Sequence, residues 1–522
     1  MLTPFDPGGP GSDSLDGSPI RNVEIRAHDI YDPIPPGRLA AFYRTANRLH
    51  VRTRRHAIRE MLLFGPGASW SAARGRETER NVRERNLTVA ERITAHRTGD
   101  GDSVDVLVET WDAWTTTPEF NLESGGGELF GSVAFGERNL LGFAKAAGVA
   151  YRDDPTGISR SASFEDPNLF GSHLRLAFRA GTGSEGATNA VELGLPFYAE
   201  DAPTTFGLRW RRVTSVARLF QAASEVADFD LRLEEAEAYA GYGRRVENTI
   251  VRFTGSFLTR DRRFGPTRLG PIAPPDFAGP EENLHLRRIG GELRLWRPRP
   301  IERLHVDRLD GIEDFDLGPS LITKVGVAPR FLGSSADEGF GEVRAAGGVQ
   351  AGERNFGLAS FQLASRLLPS PREAVARFEA RWNSQIVPRH TLALGVLGAA
   401  GARTARDYQV IVGGLNGLRA YPVHALAGTQ VWRFNAESRW FLVSDYFQVV
   451  SLGAAAFYDA ARAWGPGSFD LGWHHDVGFG LRLSLPHSAL NRVTRFDVAF
   501  PVDPTRDGRR EAVFSFGSSQ AF

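Results

Sequence analysis

The residue most suggestive of specific chemistry is an arginine in an unusual setting. Residues 410–423 read VIVGGLNGLRAYPV, and Arg419 is their only charge. Three glycines and a proline interrupt helix and strand alike, so the segment is a loop between two long alternating runs. A guanidinium is a permanent cation with a planar fork of donors, so it either stays in solvent or meets a carboxylate. Other chemistries lack their residues. No G-x-S-x-G, H-E-x-x-H or P-loop motif occurs. There is no cysteine, which excludes disulfides and thiolate metal sites. The 12 histidines are scattered, and the pair His474–His475 lies beside a turn and reads as solvated. No catalytic residue, metal site or cofactor is expected. A dispersed Ser/His/Asp set on strands, as a phospholipase-like enzyme would use, leaves no sequence signature.

The elements that must position Arg419 are read from composition and periodicity. Lys+Arg and Asp+Glu both number 62, so no basic field exists to collect nucleic acid. With 57 glycines, 35 phenylalanines and 10 tryptophans, the chain favours turns and β structure. No run of about eighteen uncharged apolar residues is present, so no transmembrane helix is expected. The start, MLTPFDPGGPGSDSLDGSPI, has neither a basic region nor an apolar core, so a signal peptide is expected to be absent from this chain.

Residues 1–20 are rich in Pro, Gly, Ser and Asp and read as a disordered leader. Residues 21–117 read β-α-α-β-β: a strand at NVEIRAHDI, helical spacing through PPGRLAAFYRTANRL, RHAIREMLLF and SWSAARGRETERNVRERN, then two strands joined by GDGD. That is a small α+β domain.

From residue 118 to 522 helical spacing gives way to runs of about ten residues with period-two alternation. VWRFNAESRW sets Trp432, Phe434, Ala436 and Trp440 against Arg433, Asn435, Glu437 and Arg439. In TRFDVAFPV, Phe496, Val498 and Phe500 oppose Arg495 and Asp497. A soluble sandwich also alternates, but such a module takes about a hundred residues, and this pattern runs for about four hundred without a linker. The aromatic faces suit lipid, and the mixed Arg/Glu/Asn faces suit a wet lumen. The expected fold is therefore a transmembrane antiparallel β-barrel of about 16 strands, 18 being the alternative, behind the α+β domain. A mean hydropathy of −0.27 is compatible with such a protein, because half of each strand is polar.

The order of these parts resembles the outer-membrane assembly factor superfamily, in which POTRA (polypeptide-transport-associated) domains precede a bacterial surface antigen barrel, as in BamA and TamA. Five segments carry the resemblance. FGERNLLGFAKAAGVAY is similar to the opening hairpin, with Asn139 and Gly142 in its turn, and FEDPNLFG is like the entry to the next hairpin. GGLNGLRAYP is similar to the long sixth extracellular loop, with Gly413 and Gly414 leading to a tip of Leu418, Arg419, Ala420 and Tyr421. FYDAARAW looks like the following Phe-x-Asp-x-Gly strand, with Phe457 and Asp459 in place. REAVFSFGSSQAF resembles the C-terminal assembly signal through Gly517 and Phe522, with Gln520 departing from it. Ala420 and Ala461 stand where the family usually has glycine, so a less tightly folded loop tip is expected.

The resemblance implies that the loop enters the lumen and that Arg419 meets Asp459, with Asp476 and Glu437 as alternatives. It also implies a non-enzymatic protein of a Gram-negative-type outer membrane, with its N-terminal domain in the periplasm. Its partners would be unfolded outer-membrane or secreted polypeptides, outer-membrane lipid and accessory envelope proteins. The expected function is insertion, assembly or translocation of polypeptides. The alternatives are a two-partner-type secretion pore for a dedicated exoprotein, or a barrel of structural or phospholipase-like role.

Overall fold

In the computed structural model, the described residues are 13–518 apart from 100, 126–127, 155–156, 271–272, 274–282, 368–370, 406, 415, 466–467, 490 and 505–510. The N-terminal module runs β1 (Ile20–His28), α1 (Ala40–Leu49), α2 (Arg55–Arg59), α3 (Ala72–Glu84), β2 (Thr88–Arg97) and β3 (Val104–Asp112). Its sheet order is β1-β3-β2, with β1 parallel and β2 antiparallel to β3. Strand β3 is central, and Val104, Val106 and Val108 bury one face of it against Ile58, Trp70 and Val82 of the helical layer. Three helices are present, one in each of the three segments that showed helical spacing, so the order is β-α-α-α-β-β rather than β-α-α-β-β, with α2 a single turn.

The leader assigned to residues 1–20 falls outside the described residues up to 12, and from Asp13 onward the chain packs. Leu15 joins the module core, and Asp16 Oδ1 accepts the Ala72 amide at 2.7 Å, capping α3.

From β4 (Thr116–Gly125) to Val513–Ser518 the chain forms one antiparallel sheet of 21 strands. One of these, Arg268–Leu269, has only two residues. The order is cyclic, with Val513–Ser518 neighbouring β4. This exceeds the expected count of about 16. One turn, Ala222–Ala223, explains part of the difference, because it carries none of the usual turn residues. Thr204–Gln221 and Ser224–Val246 are joined by Ala222 and Ala223, both at positive φ (49° and 63°), and Ser224–Val246 reaches Thr249–Phe264 through Glu247 and Asn248. Two-residue turns with positive φ normally announce themselves by Asn or Gly.

Burial is inverted relative to a soluble protein. Trp432, Phe434, Trp440, Phe496 and Phe500 are each about 40% or more exposed, whereas Glu437, Arg439, Arg495 and Asp497 on the alternate positions are at most 4% exposed. The apolar face points outward and the charged face inward, as a strand needs when lipid surrounds the sheet. No helix among the described residues is long and apolar enough to cross a membrane.

The module sits against one end of the barrel and touches its turns. Asn139 Nδ2 donates to Thr53 Oγ1 at 2.9 Å, Asn168 Nδ2 to the Glu60 carbonyl at 3.0 Å, and Arg80 pairs with Glu200 at 3.0 Å. Two segments enter the lumen from opposite ends. The loop after His390–Ala402 comes from the far end, braced by a short ladder of Val410–Val412 with Leu426–Gly428. Residues 297–319 come from the module end, folded as a small hairpin of Pro300–Arg303 with Glu313–Asp316.

Candidate functional site

The loop tip is set by backbone geometry that side chains would obstruct. Gly413 and Gly417 adopt φ of +144° and +104°. A Cβ on Gly413 would lie 2.1 Å from the Pro422 carbonyl oxygen, and one on Gly417 would lie 2.1 Å from Arg433 Cδ. With Gly414 also at positive φ, the chain turns sharply, and the Gly414 amide donates to the Tyr421 carbonyl at 2.9 Å. Leu418, Ala420 and Tyr421 are 2% exposed or less. They pack on Phe457, Ala461 and Ala463 of the wall strand Val450–Trp464, whose small side chains leave room for the loop.

This fold carries Arg419 into the wall at 2% exposure. Its Nε and Nη2 donate to Asp459 Oδ2 and Oδ1 at 2.7 and 3.0 Å, a bidentate fork. Its Nη1 donates to Glu437 Oε2 at 2.9 Å and approaches Asp497 Oδ2 at 3.4 Å. The guanidinium carbon lies 3.3 Å above the Phe457 ring, a cation–π contact that covers its remaining face. Asp476 does not bond the guanidinium. Its Oδ2 accepts the Ala420 amide at 3.0 Å. Tyr421 Oη donates to the His475 carbonyl at 2.9 Å, which fastens the far side of the tip.

Ala420 and Ala461 require no glycine here. Ala420 is not among the residues at positive φ, and Ala461 is fully buried in the cluster under the loop. The loop tip is therefore closely packed where the missing glycines led to an expectation of looser folding.

Around this pair lies a buried ionic network on the strands Gln430–Tyr446, His474–Ser484 and Thr494–Pro501. Arg439 Nε donates to Glu437 Oε1 at 2.9 Å, Arg482 Nη1 to Asp497 Oδ1 at 2.6 Å, and Arg495 Nη1 to Asp497 Oδ2 at 3.0 Å. Asn435 Nδ2 adds a bond to Asp459 Oδ1 at 2.7 Å. Charges removed from water are tolerated when they are paired in this way. Sequence reading missed Asp497, Arg482 and Arg495 as members. Their positions on the inward face of adjacent strands were legible, but the register that levels them with Arg419 was not.

The other singled-out residues fall elsewhere. Asn139 and Gly142 form the turn after Glu128–Glu137, at the module, far along the chain from the loop. Asn168 and Gly171 repeat it in N-L-x-G form, with Leu141 and Phe170 at nearly the same φ (55° and 56°). A carboxylate two residues earlier holds each asparagine amide, Glu137 at 2.6 Å and Asp166 at 3.1 Å. The repeat was visible in the sequence as a signal for a shared docking turn. Gly517 is buried in the last strand beside Arg495, and Phe522 and Gln520 lie outside the described residues. His474 meets the Tyr421 ring edge-on at 5.2 Å, and His475 Nδ1 is 2.7 Å from Tyr458 Oη, so the half-exposed pair is divided between two tyrosines.

No protein-family model matches the chain, and no curated protein matches it. Among solved structures it is similar to BamA from Haemophilus ducreyi lacking POTRA domains 1-3. The identity is 12%, over 96% of this chain and 84% of that one, with a TM-score of 0.38. It is also similar to CdiB from Acinetobacter baumannii, at 9% identity over 96% and 74% of the two chains and a TM-score of 0.48. CdiB from Escherichia coli gives 12% identity, 96% and 76%, and a TM-score of 0.48.

Proposed function

We propose that this protein is an outer-membrane barrel of the assembly-factor type that inserts or translocates unfolded polypeptides. In this reading residues 21–117 form a single POTRA-like periplasmic domain, residues 118–522 form the barrel, and no enzymatic step is involved. The observation that carries it is the loop inserted into the lumen and pinned there by the buried Arg419–Asp459 fork, above a module docked at the opposite mouth. A barrel serving only as a scaffold has no need of an internal loop held by a desolvated cation.

The mechanism places the opening where the first and last strands of the barrel, β4 and Val513–Ser518, lie side by side. No turn links these two neighbours, so parting them breaks only the ladder between them. Opened, this seam offers strand edges on which a client strand pairs, leaving no unsatisfied backbone in lipid. Beyond Ile20, which is bonded to Gly67 and Ala68, and Ile93, whose amide Glu79 takes, the edges of β1 and β2 offer clients the same sequence-tolerant main-chain bonding. The pinned loop would brace the wall next to the seam while this happens.

The chain has no cysteine, so paired cysteines scanned along Thr116–Gly125 and Val513–Ser518 report only on the seam. Crosslinking requires Cα atoms within about 7 Å. A locked seam should block client insertion in reconstituted vesicles, and reductant should restore it. Full activity with the seam locked would overturn lateral insertion. It would favour passage through the lumen instead, where a cavity of about 730 Å³ lies beside Arg175, Arg209 and Glu237.

A further inference from the structure

The second lumenal segment, residues 297–319, is not a passive turn. It is anchored in the wall by Val306 and Leu317 against Phe356 and by Leu309 against Phe441. It also presents Asp307 to two wall strands, Pro371–Ser384 and Gln430–Tyr446, the second of which carries Glu437 of the Arg419 site. Arg381 Nη1 donates to Asp307 Oδ2 at 2.8 Å, and Arg439 Nη1 donates to Asp307 Oδ1 at 3.1 Å and to the Val306 carbonyl at 2.8 Å. At its other end the same segment meets the module. Arg83 of α3 donates through Nε to Asp314 Oδ2 at 2.8 Å and through Nη2 to Glu302 Oε1 at 2.7 Å. Inside the segment, Glu313 ties the two ends together by accepting the Val306 and Asp307 amides at 2.8 and 2.9 Å.

We propose that residues 297–319 are a coupling arm that transmits the docking of the N-terminal module to the lumenal loop through Asp307, Arg439 and Glu437. The path is continuous. Arg83 holds the base of the hairpin, Glu313 fixes its tip, and Asp307 holds Arg439. Arg439 then holds Glu437 by Oε1, while Arg419 takes Oε2 of the same carboxylate. Buried Arg439 gives the link its strength, since it bridges Glu437 of the cluster and, on the arm, a carboxylate that Arg381 shares, Asp307. Removing it leaves Arg439 undercompensated in a buried site, where it competes with Arg419 for Glu437. In this arrangement Asp307 and Arg83 are positioning residues that act on the loop through others.

The inference deepens the reading of the pinned loop as part of the working site, and its test needs no client. Hydrogen exchange of residues 413–422 is followed in the full-length protein in lipid nanodiscs. Asp307→Asn should speed exchange of the Ala420 and Tyr421 amides by about tenfold, and Arg83→Ala by a smaller factor in the same amides. A second variant replaces Leu304–Ile312 by Asn-Gly, joining the cross-strand partners Arg303 and Glu313 with a two-residue turn. It should match or exceed Asp307→Asn. Asp201→Asn is the control, since it breaks the exposed Arg74–Asp201 pair between module and barrel off this path. Unchanged loop exchange in Asp307→Asn or in the Asn-Gly variant would overturn the arm. So would an equal rise in Asp201→Asn, which would show general loosening of the module. Either result would leave the insertion reading intact, because that reading is judged by client insertion with the seam locked and free.

Discussion

The two halves of the barrel use the same residue types in opposite ways. On the wall formed by Gln430–Tyr446, Val450–Trp464, His474–Ser484 and Thr494–Pro501, arginines and carboxylates are sealed under the inserted loop, and Arg419, Glu437, Asp459 and Asp497 are at most 2% exposed. On the wall from Arg175–Gly183 to Thr249–Phe264, Arg209 pairs with Glu192 and Glu237 at 3.1 and 3.4 Å, but its side chain is 52% exposed beside an open cavity. The wall residues explain the contrast. Val450–Trp464 lines its lumen face with Ala455, Ala461 and Ala463, so a second layer fits against it, while the other wall carries long charged side chains that border an open cavity among the described residues. An ion pair in the first setting fixes a loop. In the second it is a solvated lining that keeps the lumen wet.

That difference predicts a ranking of mutational effects. Arg419→Ala should be the largest, because stripping one partner from a buried ionic cluster costs about 3–5 kcal/mol. Proteolysis of intact vesicles should then cut within residues 413–422 while the barrel stays heat-modifiable. Wild-type protection would show that the fork does not hold the loop. Asp459→Ala should behave alike.

The docking turns come next. Asn139→Ala and Asn168→Ala each remove a side chain that ties a barrel turn to the module, and leaving such partners unsatisfied costs about 1–3 kcal/mol each. The double variant should accelerate hydrogen exchange in α2 more than in the barrel strands. Equal acceleration in both would mean that the turns stabilise the barrel itself.

Arg209→Ala should lie near the bottom of the ranking, at about 0–1 kcal/mol, since its pairs are half in solvent. A thermal melt shifted as far as that of Arg419→Ala would erase the contrast between the walls.

The smallest expected effect is a pH dependence at the module interface. Glu77 on α3 is buried beside Glu200 and Asp201, and burial holds its carboxyl above the usual carboxylate range against the lowering effect of the Glu200 amide. The folded state then binds the proton more tightly than the unfolded one. Stability from this group is complete below the ordinary carboxylate value and is lost as pH rises through the folded one. Protease protection of α3 should fall slightly from mildly acidic to neutral pH, and Glu77→Gln should flatten the slope.

Much of this was legible in the sequence because it rests on local rules. Period-two alternation in VWRFNAESRW separates the lipid face from the lumen face, since successive strand residues point to opposite sides. The Gly/Pro interruption around Arg419 specifies a loop, because no regular element accommodates it. Strand number in the region 204–264 was not legible, because Ala222–Ala223 makes a hairpin without the residues that normally mark one. The depth of Arg419 and its choice among carboxylates were also beyond the sequence. They depend on register: Asn435 opposite Asp459, and Asp459 opposite Asp476, level the acidic groups across three strands. Register is set by the whole sheet. For the same reason the meeting of Asp307 with Arg439, 132 residues apart in the chain, is a decision of the tertiary structure, since only a closed wall brings the turn after one strand beneath a strand so distant in sequence.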